Sequence, residues 1–156
     1  MSLYQTPGQA LDTKLTFCSL SKQATEYTST NKQYFMANAK AITSQDFEGL
    51  KNTSGTYLFD FWATWCGPCK VMNPIIESLS QDPDLSEINF VSIDVDEQPE
   101  LAGEFRVQSI PTFMVIKFKG DGTFDKETDI IAKEIGVKSA FDFKLFLVEA
   151  LKKSNS

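Results

Sequence analysis

Cys66 and Cys69 stand two residues apart in the run Trp65-Cys66-Gly67-Pro68-Cys69-Lys70. Two thiols at this spacing can work as a dithiol–disulfide couple or supply half of a metal site. Their surroundings favour the couple. A nearly continuous apolar run over residues 56–63 precedes the motif and a helical pattern follows it, which puts Cys66 at a helix N-terminus. Unpaired N–H groups and the helix dipole favour an anion there, and the thiolate is the nucleophilic form of cysteine. Pro68 suits a first helical turn, where its missing N–H is not needed. Gly67 leaves room for a partner chain. The two-residue spacer lets Cys69 turn back beneath Cys66, close enough to form a small disulfide ring. Zinc asks for four ligands, and the chain offers only Cys18 beyond this pair and has no histidine.

Asp60 is the other residue with chemical potential. It sits in the middle of Tyr57-Leu58-Phe59-Asp60-Phe61-Trp62-Ala63, where burying an acid is costly unless it serves a purpose. The alternative is an acid at a strand end facing solvent. The missing histidine removes the usual general base and every Ser–His or Cys–His pair.

The elements that hold these residues follow from pattern. Residues 39–43 read as a short strand, and Ser44 as the cap of a helix to residue 51 with Phe47 and Leu50 at helical spacing. Strands are expected over residues 56–63, 88–95 and 112–119, and helices over residues 66–80, with Pro74 inside, and 99–105. Gly120-Asp121-Gly122 reads as a turn into a last strand near residues 130–135. Asp125, Lys126, Glu127 and Asp129 in that hairpin are expected to be a solvated excursion. Ser139 should cap a final helix with Phe141, Leu145, Val148 and Leu151 on its apolar stripe. The order β-α-β-α-β-α-β-β-α means an α/β fold whose mainly parallel central sheet gains an antiparallel edge.

Residues 1–37 are Ser/Thr/Gln-rich and weakly periodic, with a helical tendency from Gln33 to Lys40. They read as an N-terminal extension ahead of a domain over residues 38–156. A transit peptide is the alternative, against which the absence of arginine there counts. The run from Leu15 to Leu20 is too short and too interrupted for a signal peptide, and no stretch nears the ~18 apolar residues of a membrane span. Cytoplasm is the expected location, and Asn52-Thr53-Ser54 is then an accidental glycosylation sequon. Three cysteines do not make a secreted disulfide framework, and Cys18 is expected to be an inert or exposed thiol. A chain of 156 residues that is 42% hydrophobic can bury one core without such staples. A net charge of −6 with no block of one sign argues against nucleic acid as a partner.

The sequence resembles the thioredoxin family. Phe61-Trp62-Ala63-Thr64-Trp65-Cys66-Gly67-Pro68-Cys69-Lys70 is nearly the family signature, Ile110-Pro111-Thr112 matches its cis-proline loop, and Asp60, Pro74 and Gly136 fall at family positions. The resemblance covers roughly residues 38–152 and implies a thioredoxin fold. It implies that Pro111 carries a cis bond facing the cysteines, and that the Ile110 backbone pairs with an extended substrate segment. Trp65 would form a flat apolar rim around Cys66, and Trp62 would be the core tryptophan. Asp60 would lie buried beneath Cys69 and exchange a proton with it. Ser92 stands where the family often has a lysine near Asp60. The implied activity is reduction of disulfides in client proteins by a monomer without metal or bound cofactor, recharged by thioredoxin reductase at the expense of NADPH. Gly67-Pro68 brings no charge to stabilise the thiolate, which favours a reductant over an oxidase or isomerase. The rival expectations are an exported oxidase or isomerase, and a binding or chaperone subunit with incidental redox activity.

Overall fold

The computed structural model describes residues 39–156. The expectations for Cys18, the 1–37 extension and most of the helix from Gln33 lie outside them. Lys40, that helix's expected last residue, belongs to a strand instead.

Strand β1 (Lys40–Ala41) leads into helix α1 (Ser44–Leu50). The cap of α1 is Thr43, not Ser44: the Thr43 hydroxyl accepts the Asp46 N–H at 3.2 Å, and the Asp46 carboxylate accepts the Thr43 N–H at 2.9 Å. Two adjacent hydroxyl residues compete for the cap, and only Thr43 has an acid three residues on to complete the reciprocal pair. Strand β2 (Ser54–Trp62), helix α2 (Gly67–Ser80), a short 3-10 turn (Pro83–Leu85) and strand β3 (Ile88–Asp94) follow. Helix α3 (Pro99–Glu104), strand β4 (Thr112–Lys119), helix α4 (Lys126–Asp129), strand β5 (Ile130–Ile135) and helix α5 (Ala140–Ser154) complete the chain. The strands form one sheet in the order β1-β3-β2-β4-β5. β1 and β2 each lie parallel to β3, whereas β4 runs antiparallel to both β2 and β5.

Strand alternation divides the core in two. Leu58, Phe113 and Val115 meet Met72 and Ile76 of α2 and Phe143 and Leu147 of α5 on one face. Phe59, Phe61, Met114 and Phe118 meet Phe47 of α1 and Leu101 of α3 on the other. Asp60, two residues from Leu58, therefore points to the α2 face.

Two expectations need correction. Phe141 and Leu145 are not on the buried stripe of α5: they are 76% and 47% exposed, while Phe143, Leu147, Ala150 and Leu151 are buried. Both sets repeat at helical spacing, so periodicity alone could not choose between them. The hairpin excursion is also not simply solvated. Phe124 inserts among Phe47, Phe105 and Phe118, and Asp129 is buried. Its carboxylate accepts the Asp125 N–H at 2.8 Å and pairs with Lys119 at 2.8 Å. Burial alone would raise the Asp129 pKa; these hydrogen bonds outweigh it and hold the carboxyl below its ordinary value.

Candidate active site

The end of β2 hands the chain to α2 through a tight turn, and Cys66 occupies the N-cap of that helix. Its N–H donates to the Ala63 carbonyl at 3.1 Å, and its sulfur accepts the Cys69 N–H at 3.1 Å. Cys66 and Cys69 are joined in a disulfide with their Cα atoms 5.3 Å apart. Both sulfurs are largely buried within a collar made by Ala63, Trp62, Val95 and Ile110. The first turn of α2 thus puts the Cys69 N–H on the sulfur of Cys66, an arrangement that favours a thiolate once the bond is reduced.

Asp60 lies on the same face of β2 as Trp62, one pleat further back, and is 2% exposed. Neither carboxyl oxygen has a hydrogen-bond partner among the described residues. In the sheet, Asp60 pairs with Ser92 on one side and Phe113 on the other. Ser92 is thus the residue that stands opposite it, where the family often has a lysine. Burial pushes the Asp60 carboxyl up to about 8.

The Ile110–Pro111 peptide bond is cis. Ile110 packs against the cysteine cluster, and the Pro111 carbonyl accepts the Gly136 N–H at 2.9 Å, which brings the end of β5 to the same place. No other described residue hydrogen-bonds the Ile110 N–H or carbonyl. Gly67 and Pro68 are exposed, and a Cβ on Gly67 would meet no atom within 4 Å. Packing within the chain therefore does not require that glycine. Trp65 is 67% exposed, and its indole N–H donates to the Asp96 carboxylate at 2.7 Å. Trp62 is the more buried of the two tryptophans, with its N–H enclosed and without a hydrogen-bond partner among the described residues.

Asp96 was missed by the sequence reading. Its signal was the acidic run Asp94-Val95-Asp96-Glu97, which leaves β3 at the sheet end where the cysteine motif leaves β2, since Trp62 pairs with Asp94. Among the described residues no cluster of three or more His, Cys, Asp or Glu could hold a metal ion.

A mixed sheet with a disulfide at the first turn of the helix after β2, faced by a cis-proline loop, defines a thioredoxin-fold protein with a redox dithiol. Comparison with known proteins agrees. The Thioredoxin family model matches residues 38–139. The thioredoxin of Staphylococcus epidermidis is 44% identical over 93 residues, covering 60% of this chain and 86% of that protein. The solved structure of mitochondrial thioredoxin 3 from Saccharomyces cerevisiae, in its oxidised form, superimposes with a TM-score of 0.57 at 33% identity, covering 71% of this chain and 95% of that one. Malassezia sympodialis thioredoxin gives a TM-score of 0.59 at 29% identity, over 72% of this chain and 90% of that one. The chain belongs to the thioredoxin family. It is a dithiol–disulfide oxidoreductase whose redox-active disulfide is Cys66–Cys69.

Proposed function

We propose that the protein works in the reducing direction, as a general reductant of disulfides in client proteins. The observation that carries this reading is the position of Cys66 at the α2 N-cap with only Gly67 and Pro68 between the cysteines, two residues that add no charge to the helix N-terminus in stabilising the thiolate. A thiolate without further charge stabilisation gives a more reducing couple.

Cys66 is the nucleophile. Its thiolate attacks one sulfur of a client disulfide, forming a Cys66–client bond and releasing the other client sulfur as a thiolate that takes up a proton. Asp60 accepts the proton of Cys69, directly or through water. The Cys69 thiolate then attacks the Cys66 sulfur, breaks the mixed disulfide and expels the second client thiolate. Two electrons pass to the client, and the protein is left with its Cys66–Cys69 bond. The buried, unpartnered Asp60 carboxyl supports its role, since a group poised near neutral pH can both take and return a proton.

Trp65, Gly67, Pro68, Ile110 and Pro111 form the client-binding surface. The unpaired backbone groups of Ile110 suit strand-like pairing with an extended client segment, and the open approach at Gly67 suits the passage of its backbone. NADPH-linked thioredoxin reductase restores the dithiol, as in the family at large. No metal or bound cofactor enters the cycle. We place the catalytic domain at residues 38–156 and treat residues 1–37 as an extension, a boundary supported by the family match beginning at residue 38. The reading includes a cytoplasmic monomer serving electron transport and redox homeostasis, with no membrane or nucleic-acid partner. No helix among the described residues is long and apolar enough to cross a membrane.

The test is NADPH oxidation coupled through thioredoxin reductase to a disulfide-bonded client. Cys66→Ser abolishes turnover in this reading. Cys69→Ser still attacks but stalls as a mixed disulfide, visible by non-reducing electrophoresis. Undiminished turnover by Cys66→Ser would assign the activity elsewhere.

A further inference from the structure

The excursion between β4 and β5 takes no part in the chemistry, yet it is locked into one shape. The Glu127 N–H donates to the Asp125 carboxylate at 2.8 Å, the Asp125 N–H donates to the buried Asp129 carboxylate at 2.8 Å, and Lys119 pairs with Asp129 at 2.8 Å. Burying a carboxylate costs free energy unless it is paired and hydrogen-bonded, and here both conditions are met. Two side chains leave this frame toward α3. Phe124 lies against Phe105, with ring centroids 5.6 Å apart. Lys126 donates from Nζ to the Glu104 carbonyl at 2.6 Å, and its Nζ is 3.9 Å from the Glu104 carboxylate. Glu104 is the last residue of α3 and Phe105 is its C-cap. The last carbonyls of a helix lack an N–H partner within it, and a cation is favoured there. The excursion therefore caps a helix whose end lies 22 residues earlier in the chain.

The path of the chain after α3 gives that cap a consequence. The chain leaves the helix through Arg106, whose φ of 50° lies in the left-handed region that a residue with a side chain seldom takes. The N–H groups of Arg106 and Val107 hold this turn by donating to the Gly103 and Ala102 carbonyls at 3.0 and 2.9 Å. On the far side, the Ser109 carbonyl accepts the Thr112 hydroxyl at 2.6 Å. The cis-proline loop thus hangs between two anchors, the turn at the end of α3 and the start of β4. The second anchor is part of the sheet, and the first is the one that the excursion grips. Phe105, Val107, Ile110 and Phe124 also belong to one apolar cluster. A shift of the turn is therefore passed to Ile110 through packed side chains as well as through the backbone.

We propose that Lys126 is a positioning residue for the client-binding loop: by capping α3 at Glu104 it fixes the turn at Arg106 from which Ile110 and Pro111 are presented to the client. The proposal rests on the reading of Ile110 and Pro111 as part of the client-binding surface of a disulfide reductant. In this assignment Lys126 touches neither the client nor the reacting sulfurs and acts only through the turn. It matters for a disulfide carried in an extended polypeptide, which pairs with the loop, and not for a disulfide too small to reach it.

The test uses the full chain as wild type, Lys126→Met and Lys126→Arg. Methionine keeps the apolar stem and loses the donor, whereas arginine keeps a cationic donor. Amide hydrogen exchange reads the turn. Rate constants for oxidation of the reduced protein, by a disulfide-linked peptide and by hydroxyethyl disulfide, read the site. Lys126→Met should speed exchange at Arg106 and Val107 about threefold relative to the β2 amides, and slow the peptide reaction about threefold. The hydroxyethyl disulfide reaction should keep its wild-type rate. Lys126→Arg should match the wild type in all three measurements. Unchanged exchange at the turn, or a peptide rate that stays at the wild-type value, overturns the proposal. Equal slowing with both disulfides places the effect at the cysteines and overturns it too, as does a Lys126→Arg protein as slow as Lys126→Met. A wild-type protein that fails to reduce the peptide would strike the reductant reading itself, and this inference with it.

Discussion

At neutral pH most of the Asp60 carboxyl is protonated, because burial in the sheet between Ser92 and Phe113 has pushed it up to about 8. An unfolded chain ionises this group near its ordinary value of 3.8. The folded state therefore holds a proton that the unfolded state has lost. The stability linked to it is complete below the unfolded pKa and declines as pH rises to the folded one. Asp60→Asn removes the titration, so the variant should gain on the wild type by up to about 1.4 kcal/mol per pH unit up to about pH 8, and no further. Urea unfolding of both proteins at pH 6 and pH 8 measures this; an advantage that does not grow with pH would mean that Asp60 is not held neutral. The same substitution should slow the release of reduced client roughly 10- to 100-fold, a modest effect for general-base catalysis because little of the group is ionised at pH 7. The acid in an apolar strand was legible as an anomaly in the sequence. Ser92 on one side of it was legible through the family resemblance, whereas Phe113 on the other side was not, because it becomes a neighbour only through sheet register.

Helix α5 shows how far local pattern reaches. Its cap was readable: Ser139 accepts the Asp142 N–H at 3.1 Å, and Asp142 lies three residues on, as a helix start requires. Its buried face was not, because Phe141-Leu145-Val148 and Phe143-Leu147-Ala150 have the same spacing. The choice is made by the loop before the helix, where the Lys138 N–H anchored on the Met72 sulfur turns Phe143 inward onto Phe113, with ring centroids 4.7 Å apart. Phe143→Ala should cost about 3–5 kcal/mol, whereas Phe141→Ala should stay within about 0.5 kcal/mol. Thermal unfolding of the two variants decides between the faces, and equal losses would contradict the assignment. Helix α4 and the 3-10 turn at Pro83–Leu85 escaped the sequence reading because neither is long enough to display a period. Strand β4 was readable at both ends, since its largely apolar run lies between a proline and a glycine turn.

Across the whole molecule, topology brings four separate stretches of sequence to one end of the sheet. Pairing of Trp62 with Asp94, and of Thr112 with both Phe61 and Ile135, gathers the ends of β2, β3 and β5 around the start of β4. The cysteine motif, the acidic run with Asp96, the cis-proline loop and Gly136 all sit there. The first and third of these announced themselves as motifs, while Asp96 and the Gly136–Pro111 hydrogen bond emerge only when the strands are in register. The direction of electron flow is a property of this assembled site, set by how far the α2 N-terminus stabilises the Cys66 thiolate against the disulfide. It is read most directly from the reduction potential of the Cys66–Cys69 pair, measured by equilibrating the protein with dithiol–disulfide buffers of known poise and following tryptophan fluorescence. A reductant should give a value of about −270 mV, the figure for thioredoxin. A value between about −120 and −180 mV, in the range of dedicated oxidases and isomerases, would contradict it.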